Sequence, residues 1–196
     1  METMDLISEE SQDEINNLQN FNIYSFIPIK EKDLNSEYAK ELLKKTIYCS
    51  KSSIGVSKTV VITDSEDVAN MSKKYGSEFQ IIRPKSISSE LLRVDDVCKY
   101  ALKEIEMLDE FPDIIVTLEI FFPLRPITII DTLLSRLIIE ELDTVMAGIA
   151  EYGIGWQRSD GNFKRVDNFN VTKSNRDPVH FAKIGFGSAT YADIIR

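Results

Sequence analysis

At 196 residues, 43% hydrophobic and 28% charged, the chain has the length and balance of one globular domain with a substantial core. A net charge of −9 argues against a nucleic-acid polymer as partner, because phosphate backbones are held by clustered Lys and Arg. No apolar run approaches the roughly 18 residues of a membrane span, and no basic stretch followed by an apolar one opens the chain, so a cytoplasmic protein without membrane contact is expected.

Residues 1–20 are rich in Glu, Asp, Ser, Asn and Gln and read as a mobile arm or short helix, which leaves 21–196 as the folded domain. Ile23 to Ile27, ending at Pro28, reads as a first strand, and Ile29 to Ser36 as the loop that in an α/β sheet commonly cradles phosphate. Glu37 to Ser53 has helical spacing with Ser36 as N-cap. A second strand is expected over Val60 to Thr63. The acids Asp64, Glu66 and Asp67 open the next helix, which ends near Gly76. Phe79 to Ile82 reads as a third strand. From Val94, the apolar residues Val97, Cys98, Ala101, Leu102, Ile105 and Leu108 mark an amphipathic helix.

The run Ile114 to Leu118, bounded by prolines and set between two helices, reads as the central strand of a parallel sheet. A helix over Thr128 to Leu142 and a strand over Asp143 to Ala150 follow, and beyond Glu151 the pattern turns to hairpins and loops, with a turn at Ser159 to Asn162. The order βαβαβαβαβ implies a three-layer, Rossmann-like α/β domain on a parallel sheet. Cys49 and Cys98 fall within helical patterns and are expected as buried core residues. His180, the sole histidine, supports neither a Ser-His-Asp arrangement nor a metal cluster, and Trp156 with Gln157 and Arg158 suits core or interface packing.

Ligands of such sheets bind at the carboxyl ends of the strands, so Glu119 to Arg125 is where function is sought. Arg125 can clamp a phosphate or sugar carboxylate, or instead make a structural ion pair; Glu119 can serve as a base or hydrogen-bond a nucleobase amine. Lys30 and Lys32 can meet phosphates, or simply decorate a solvated loop in which each is followed by an acid. Asp64 reads better as the acidic first turn of a helix than as a ligand group.

The segment Leu118-Glu119-Ile120-Phe121-Phe122-Pro123-Leu124-Arg125 resembles the L-Q-P-T-S-P-L-R segment of the acylneuraminate (CMP-sialic acid synthetase-like) cytidylyltransferases. Ile27-Pro28, Val61-Ile62-Thr63-Asp64-Ser65-Glu66, Lys74-Tyr75-Gly76-Ser77-Glu78, Arg83-Pro84, Asp96 and Ala101-Leu102 fall in order at that family's spacing, and Arg176, Pro178, Gly187 and Tyr191 resemble its R-x-x-P and N-G-x-x-Y segment. The resemblance implies a nucleotide-diphosphosugar-transferase (GT-A-like) sheet, a homodimer, and transfer of CMP from CTP to an acidic, sialic-acid-like sugar for surface glycan synthesis, with Mg2+ as cofactor if the protein is active. It also implies nucleotide or phosphate contacts at Lys30, Lys32 and Arg125 and substrate contacts at Glu119, Arg83 and Asp96.

The sequence departs from that pattern where the chemistry would occur. The family's R-x-G-S-K loop is replaced by the shorter Ile29-Lys30-Glu31-Lys32-Asp33-Leu34-Asn35, without Gly or Arg, and its Pro-Thr-Ser by Ile120-Phe121-Phe122. Glu90, Leu91, Leu92 and Arg93 stand where the family has Asp and small hydroxylated residues, and its closing acids have no counterpart before Arg196, so no metal ligand is assigned. A divergent member with a degenerate site is therefore expected, or a non-catalytic homologue that binds a nucleotide or sugar nucleotide or assists assembly. A glycosyltransferase is disfavoured because no D-x-D stands at a strand end.

Overall fold

The computed structural model describes residues 18–87, 93–166, 172 and 177–196; most of the expected N-terminal arm, together with Glu90 to Leu92 and Arg176, lies outside the described residues. Strands β1 (Ile23–Pro28), β2 (Lys58–Thr63), β3 (Phe79–Ile82) and β4 (Ile114–Thr117) alternate with helices α1 (Glu37–Lys51), α2 (Glu66–Lys74) and α3 (Val94–Glu106). Helix α4 (Ile129–Ile139) leads to β5 (Thr144–Met146) and β6 (Gly148–Glu151). The hairpin β7 (Trp156–Ser159) and β8 (Asn162–Arg165) follows, then β9 (Val179–Ala182), β10 (Ser188–Tyr191) and the short α5 (Ala192–Ile195).

The main sheet has six strands in the order β3-β2-β1-β4-β10-β5. Pairing among its first four strands is parallel. The side-chain period of two along β1 divides the core: Ile23 and Ile27 face α1 and α4, whereas Tyr24 and Phe26 face α3. Helix α3 buries Val97, Cys98, Ala101, Leu102 and Ile105 of the expected stripe, whereas Leu108 lies beyond the helix end and is exposed. Each fully buried Val, Leu or Ile contributes about 1.5–3 kcal/mol of burial free energy. Both cysteines are buried, and desolvation pushes the Cys98 thiol up to about 12, so it is an inert packing group.

Local chemistry sets the boundaries. Ser36 Oγ accepts from Ala39 N at 3.2 Å and starts α1. Gly76, at φ +98°, ends α2 in the left-handed region. The expected turn at Ser159 to Asn162 is present, with Asp160 and Gly161 both at positive φ. Among the described residues no helix is long and apolar enough to cross a membrane.

Two expectations need correction. The stretch 143–150 is not one strand: it leaves the main sheet after Met146, and β6 pairs instead with β9. Gly148 permits that departure, because a Cβ there would lie 2.9 Å from the carbonyl oxygen of Phe181. The sheet is also not wholly parallel, since β10 inserts antiparallel between β4 and β5. Its Ala189, fully buried, is small enough to sit beneath α4. Leu18, at the end of the expected arm, is buried in the main core.

Candidate functional site

Strands β1, β2 and β3 run to one side of the sheet, and the chain then crosses back to place β4 on the other side of β1. That reversal makes the carboxyl ends of β1 and β4 the switch point, where a crevice opens in sheets of this kind. A cleft of about 200 Å3 lies there, lined by Lys30 after β1, Arg83 after β3, Glu119 and Phe121 after β4, and Val94 and Val97 from α3. The topology therefore brings three of the expected site residues, Lys30, Arg83 and Glu119, to one place.

Arg83 is the most buried of them, only 4% exposed. Its Nη2 donates to the Ile29 carbonyl at 3.3 Å, while its Nε is buried with no hydrogen-bond partner. Burial pushes its guanidinium down from the ordinary arginine value, with Asp64 and Asp33 acting in the opposite sense. Among the described residues no carboxylate forms an ion pair with it. A buried donor left unsatisfied costs roughly 1–3 kcal/mol, and more for a charged group, so Arg83 is held in the wall of the cleft at a cost to stability.

Glu119 is half-buried and packs on the turn before β10. Its amide donates to the Gly185 carbonyl at 2.8 Å, and a Cβ on Gly185 would come within 2.4 Å of Glu119 Cδ. Desolvation raises the Glu119 carboxyl above the ordinary value and Asp33 adds to the rise, against the pull of Arg125. Stability linked to a raised carboxyl is fully present below its unfolded-state pKa and is lost as pH rises through the folded value. Glu119→Gln, which keeps the packing and removes the charge, is therefore expected to be more stable than the parent at neutral pH. The difference should vanish below about pH 4, as read from urea melts across pH.

Arg125 adjoins the cleft without lining it. Its Nε donates to the Phe186 carbonyl at 2.6 Å, and Nη2 donates to Glu119 O at 2.6 Å and Gly185 O at 2.8 Å. The rings of Phe122 and Phe186 stand edge to face at 5.3 Å, each with its centroid within 6 Å of the guanidinium. Arg125 thus fastens the loop after β4 to the turn before β10 and fixes where Glu119 stands. Among the described residues it makes carbonyl contacts, not the structural ion pair weighed from the sequence.

The loop after β1 is a 3-10 turn, Glu31–Leu34, with Leu34 in the core. Two of its amides are engaged: Glu31 N donates to Asp64 Oδ1 at 2.8 Å and Asp33 N to the Lys30 carbonyl at 3.0 Å. Asp64 is therefore a loop-capping acceptor as well as the acid before α2. Lys32 lies exposed on this turn, outside the cleft. Asp96 also lies outside it: its carboxylate accepts from Arg93 N at 3.3 Å and caps α3. It borders a larger hollow of about 330 Å3 on the face of β4, β10 and β5. That hollow is bigger, but the unsatisfied buried cation lies in the smaller cleft, and the chemistry follows the cation.

Among the described residues no group of three or more His, Cys, Asp or Glu side chains stands ready to hold a metal ion. The expected Mg2+ finds no cluster of protein ligands there. Sequence reasoning missed Gly185 and Phe186, whose partners stand some 60 positions away, and it missed the backbone carbonyls as receivers for Arg125. Phe186-Gly187 next to the matched closing segment was the one available signal.

No family model matches the chain. It is 29% identical over 82 residues to the Helicobacter pylori pseudaminic acid cytidylyltransferase and UDP-2,4-diacetamido-2,4,6-trideoxy-beta-L-altropyranose hydrolase; the match covers 42% of this chain and 16% of that relative. Among solved structures, CMP:2-keto-3-deoxy-manno-octonic acid synthetase complexed with CTP superposes with a TM-score of 0.62 at 16% identity, over 89% of this chain and 76% of the other. The 4-diphosphocytidyl-2C-methyl-D-erythritol synthase of Anaerococcus prevotii superposes with a TM-score of 0.62 at 11% identity, over 93% and 74%. The chain therefore has the α/β fold of these cytidylyltransferases.

Proposed function

We propose that the chain is a divergent cytidylyltransferase-like protein that receives a cytidine nucleotide at the switch-point cleft and serves the joining of CMP to an acidic, sialic-acid-like sugar. The observation that carries this reading is the buried, unpartnered Nε of Arg83, which with Lys30 belongs to the cleft at the carboxyl edge of a sheet whose fold is shared with a CTP-bound synthetase. A nucleobase carbonyl or a phosphate oxygen would satisfy that donor, and Glu119, in the lining of the same cleft, would accept from an amine. In the transfer itself the sugar hydroxyl oxygen would bond to the α-phosphorus of CTP and give up its proton to solvent, while the bond to the β-phosphate bridging oxygen breaks and pyrophosphate leaves. Catalysis of that kind is chiefly positioning and electrostatics.

A second reading, a homologue that holds the nucleotide or sugar nucleotide without turnover, is favoured by one contact. The Asp64 carboxylate occupies the Glu31 amide, so an internal anion already sits on a loop that would otherwise offer its amides to phosphate. Calorimetric titration with CMP, CTP and the other nucleoside triphosphates, paired with a pyrophosphate-release assay on an acidic nonulosonic sugar, separates the readings. Cytidine-selective binding with release supports transfer, and the same binding without release supports the non-catalytic homologue. Binding of no nucleotide contradicts both.

A further inference from the structure

The loop after β1 brings carboxylates to the cleft where a triphosphate-binding loop would bring backbone amides. Glu31 N is taken by the Asp64 carboxylate at 2.8 Å, and Asp33 N by the Lys30 carbonyl at 3.0 Å. The Asp33 side chain itself stands half-buried in the cleft lining, together with Lys30, Arg83 and Glu119. Among the described residues the charged lining is therefore balanced, two cations against two carboxylates. Beside the larger effect of burial, the charge of Asp33 disfavours the Glu119 carboxylate and, with Asp64, favours the Arg83 guanidinium. The protein's own acids thus already offset the cation that would receive phosphate, and Lys30 is itself engaged in an interaction.

What the cleft leaves open is narrow. Among its described residues the one buried donor without an acceptor is Nε of Arg83. The rest of the lining, Pro28, Ile29, Val94, Val97 and Phe121, is apolar and suits the flat body of a nucleoside. At about 200 Å3 the cleft is also small beside the roughly 300–1,000 Å3 of ordinary small-molecule sites.

We propose that the cleft selects a cytidine nucleotide with one phosphate over one with three, and that Asp33 imposes the selection. The proposal rests on the nucleotide reading of the cleft given above and names the phosphorylation state it takes. Each further phosphoryl group adds negative charge, and here it meets Asp33 and a loop whose Glu31 amide already holds the Asp64 carboxylate. Like charges a few ångströms apart in partly screened surroundings are worth about tenfold in affinity. Ordinary triphosphate sites show the reverse order, because amides, a lysine and a metal ion gather on the outer phosphates.

Calorimetric titration of the full chain with CMP, CDP and CTP, in EDTA to exclude divalent cations, tests this. Affinity should fall in that order, by about tenfold from CMP to CTP, and the gap should close as salt is raised. Asp33→Asn should bring the CMP and CTP affinities to within about threefold of each other, whereas Asp33→Glu, which keeps the charge, should retain the parent ratio. The ratio is read within one preparation, so a general loss of stability does not move it, and the order in the parent chain is a test without any variant. CTP binding to the parent as tightly as CMP, or more tightly, would overturn the selection while leaving the cleft a cytidine site. A ratio unchanged in Asp33→Asn would overturn the role given to Asp33. Binding of no nucleotide would remove the reading on which the proposal rests, and the proposal with it.

Discussion

Arg83→Met is expected to leave the protein as stable as the parent or about 1–2 kcal/mol more stable, while weakening cytidine nucleotide binding by roughly thirtyfold to a hundredfold. Opposite signs in one substitution are what the geometry dictates. Arg83 is 4% exposed, and among the described residues its guanidinium makes one hydrogen bond, of 3.3 Å to Ile29 O, and leaves Nε without an acceptor. A buried cation with so little compensation is destabilising relative to an apolar chain of similar reach, and Met fills the same space flexibly. If that donor is kept for a ligand, removing it loses a charge-assisted hydrogen bond of about 2–3 kcal/mol. Urea denaturation and calorimetry on the same preparations check the pair. A large loss of stability with unchanged affinity would make Arg83 a structural residue.

Arg125→Met is expected to act in the reverse way, with a loss of about 3 kcal/mol of stability as its primary effect. Three carbonyls, those of Phe186, Glu119 and Gly185, receive hydrogen bonds from this one guanidinium, and two phenylalanine rings lie against it. Removal strands acceptors on two segments at once and unfastens the β4 loop from the turn before β10. Arg125→Lys should recover less than half of the loss, because a single ammonium cannot span the positions that the planar fork bridges. Any change in nucleotide affinity would follow from displacement of Glu119. Denaturant midpoints for the two variants measure this, and a fully stable Arg125→Met would show that the contacts are incidental.

The scaffold was largely legible in the sequence because its signals are local. Ser36 and Gly76 mark ends by their own chemistry, and the stripe on α3 is a matter of spacing. Strands of hydrophobic residues between helices read as parallel strands, and β1 through β4 are so. What was not legible depends on contacts distant in sequence. Nothing in Ser188-Ala189-Thr190-Tyr191 announces a strand that inserts antiparallel between β4 and β5, since Ala189 is chosen for the space beneath α4 rather than for strand propensity. The break at Gly148 likewise becomes visible only once the Phe181 carbonyl stands opposite.

The candidate site shows the same division. That Lys30, Arg83 and Glu119 belong to one edge follows from their places at strand ends, whereas Asp96 looks equally suitable in sequence and is used to cap α3. For Arg125 the sequence offered a phosphate or carboxylate clamp or an ion pair, whereas the oxygens it meets are carbonyls, two of them on Gly185 and Phe186 some 60 positions away.

The most direct measurement is a titration of CMP followed through the Nε–H resonance of Arg83 in nitrogen–proton correlation spectra, assigned by comparison with Arg83→Met. If the cleft receives the nucleotide, that resonance shifts saturably on addition of CMP and not of the uridine or adenosine nucleotide. Saturable binding that moves resonances elsewhere while Arg83 Nε–H stays fixed would contradict the placement of the site.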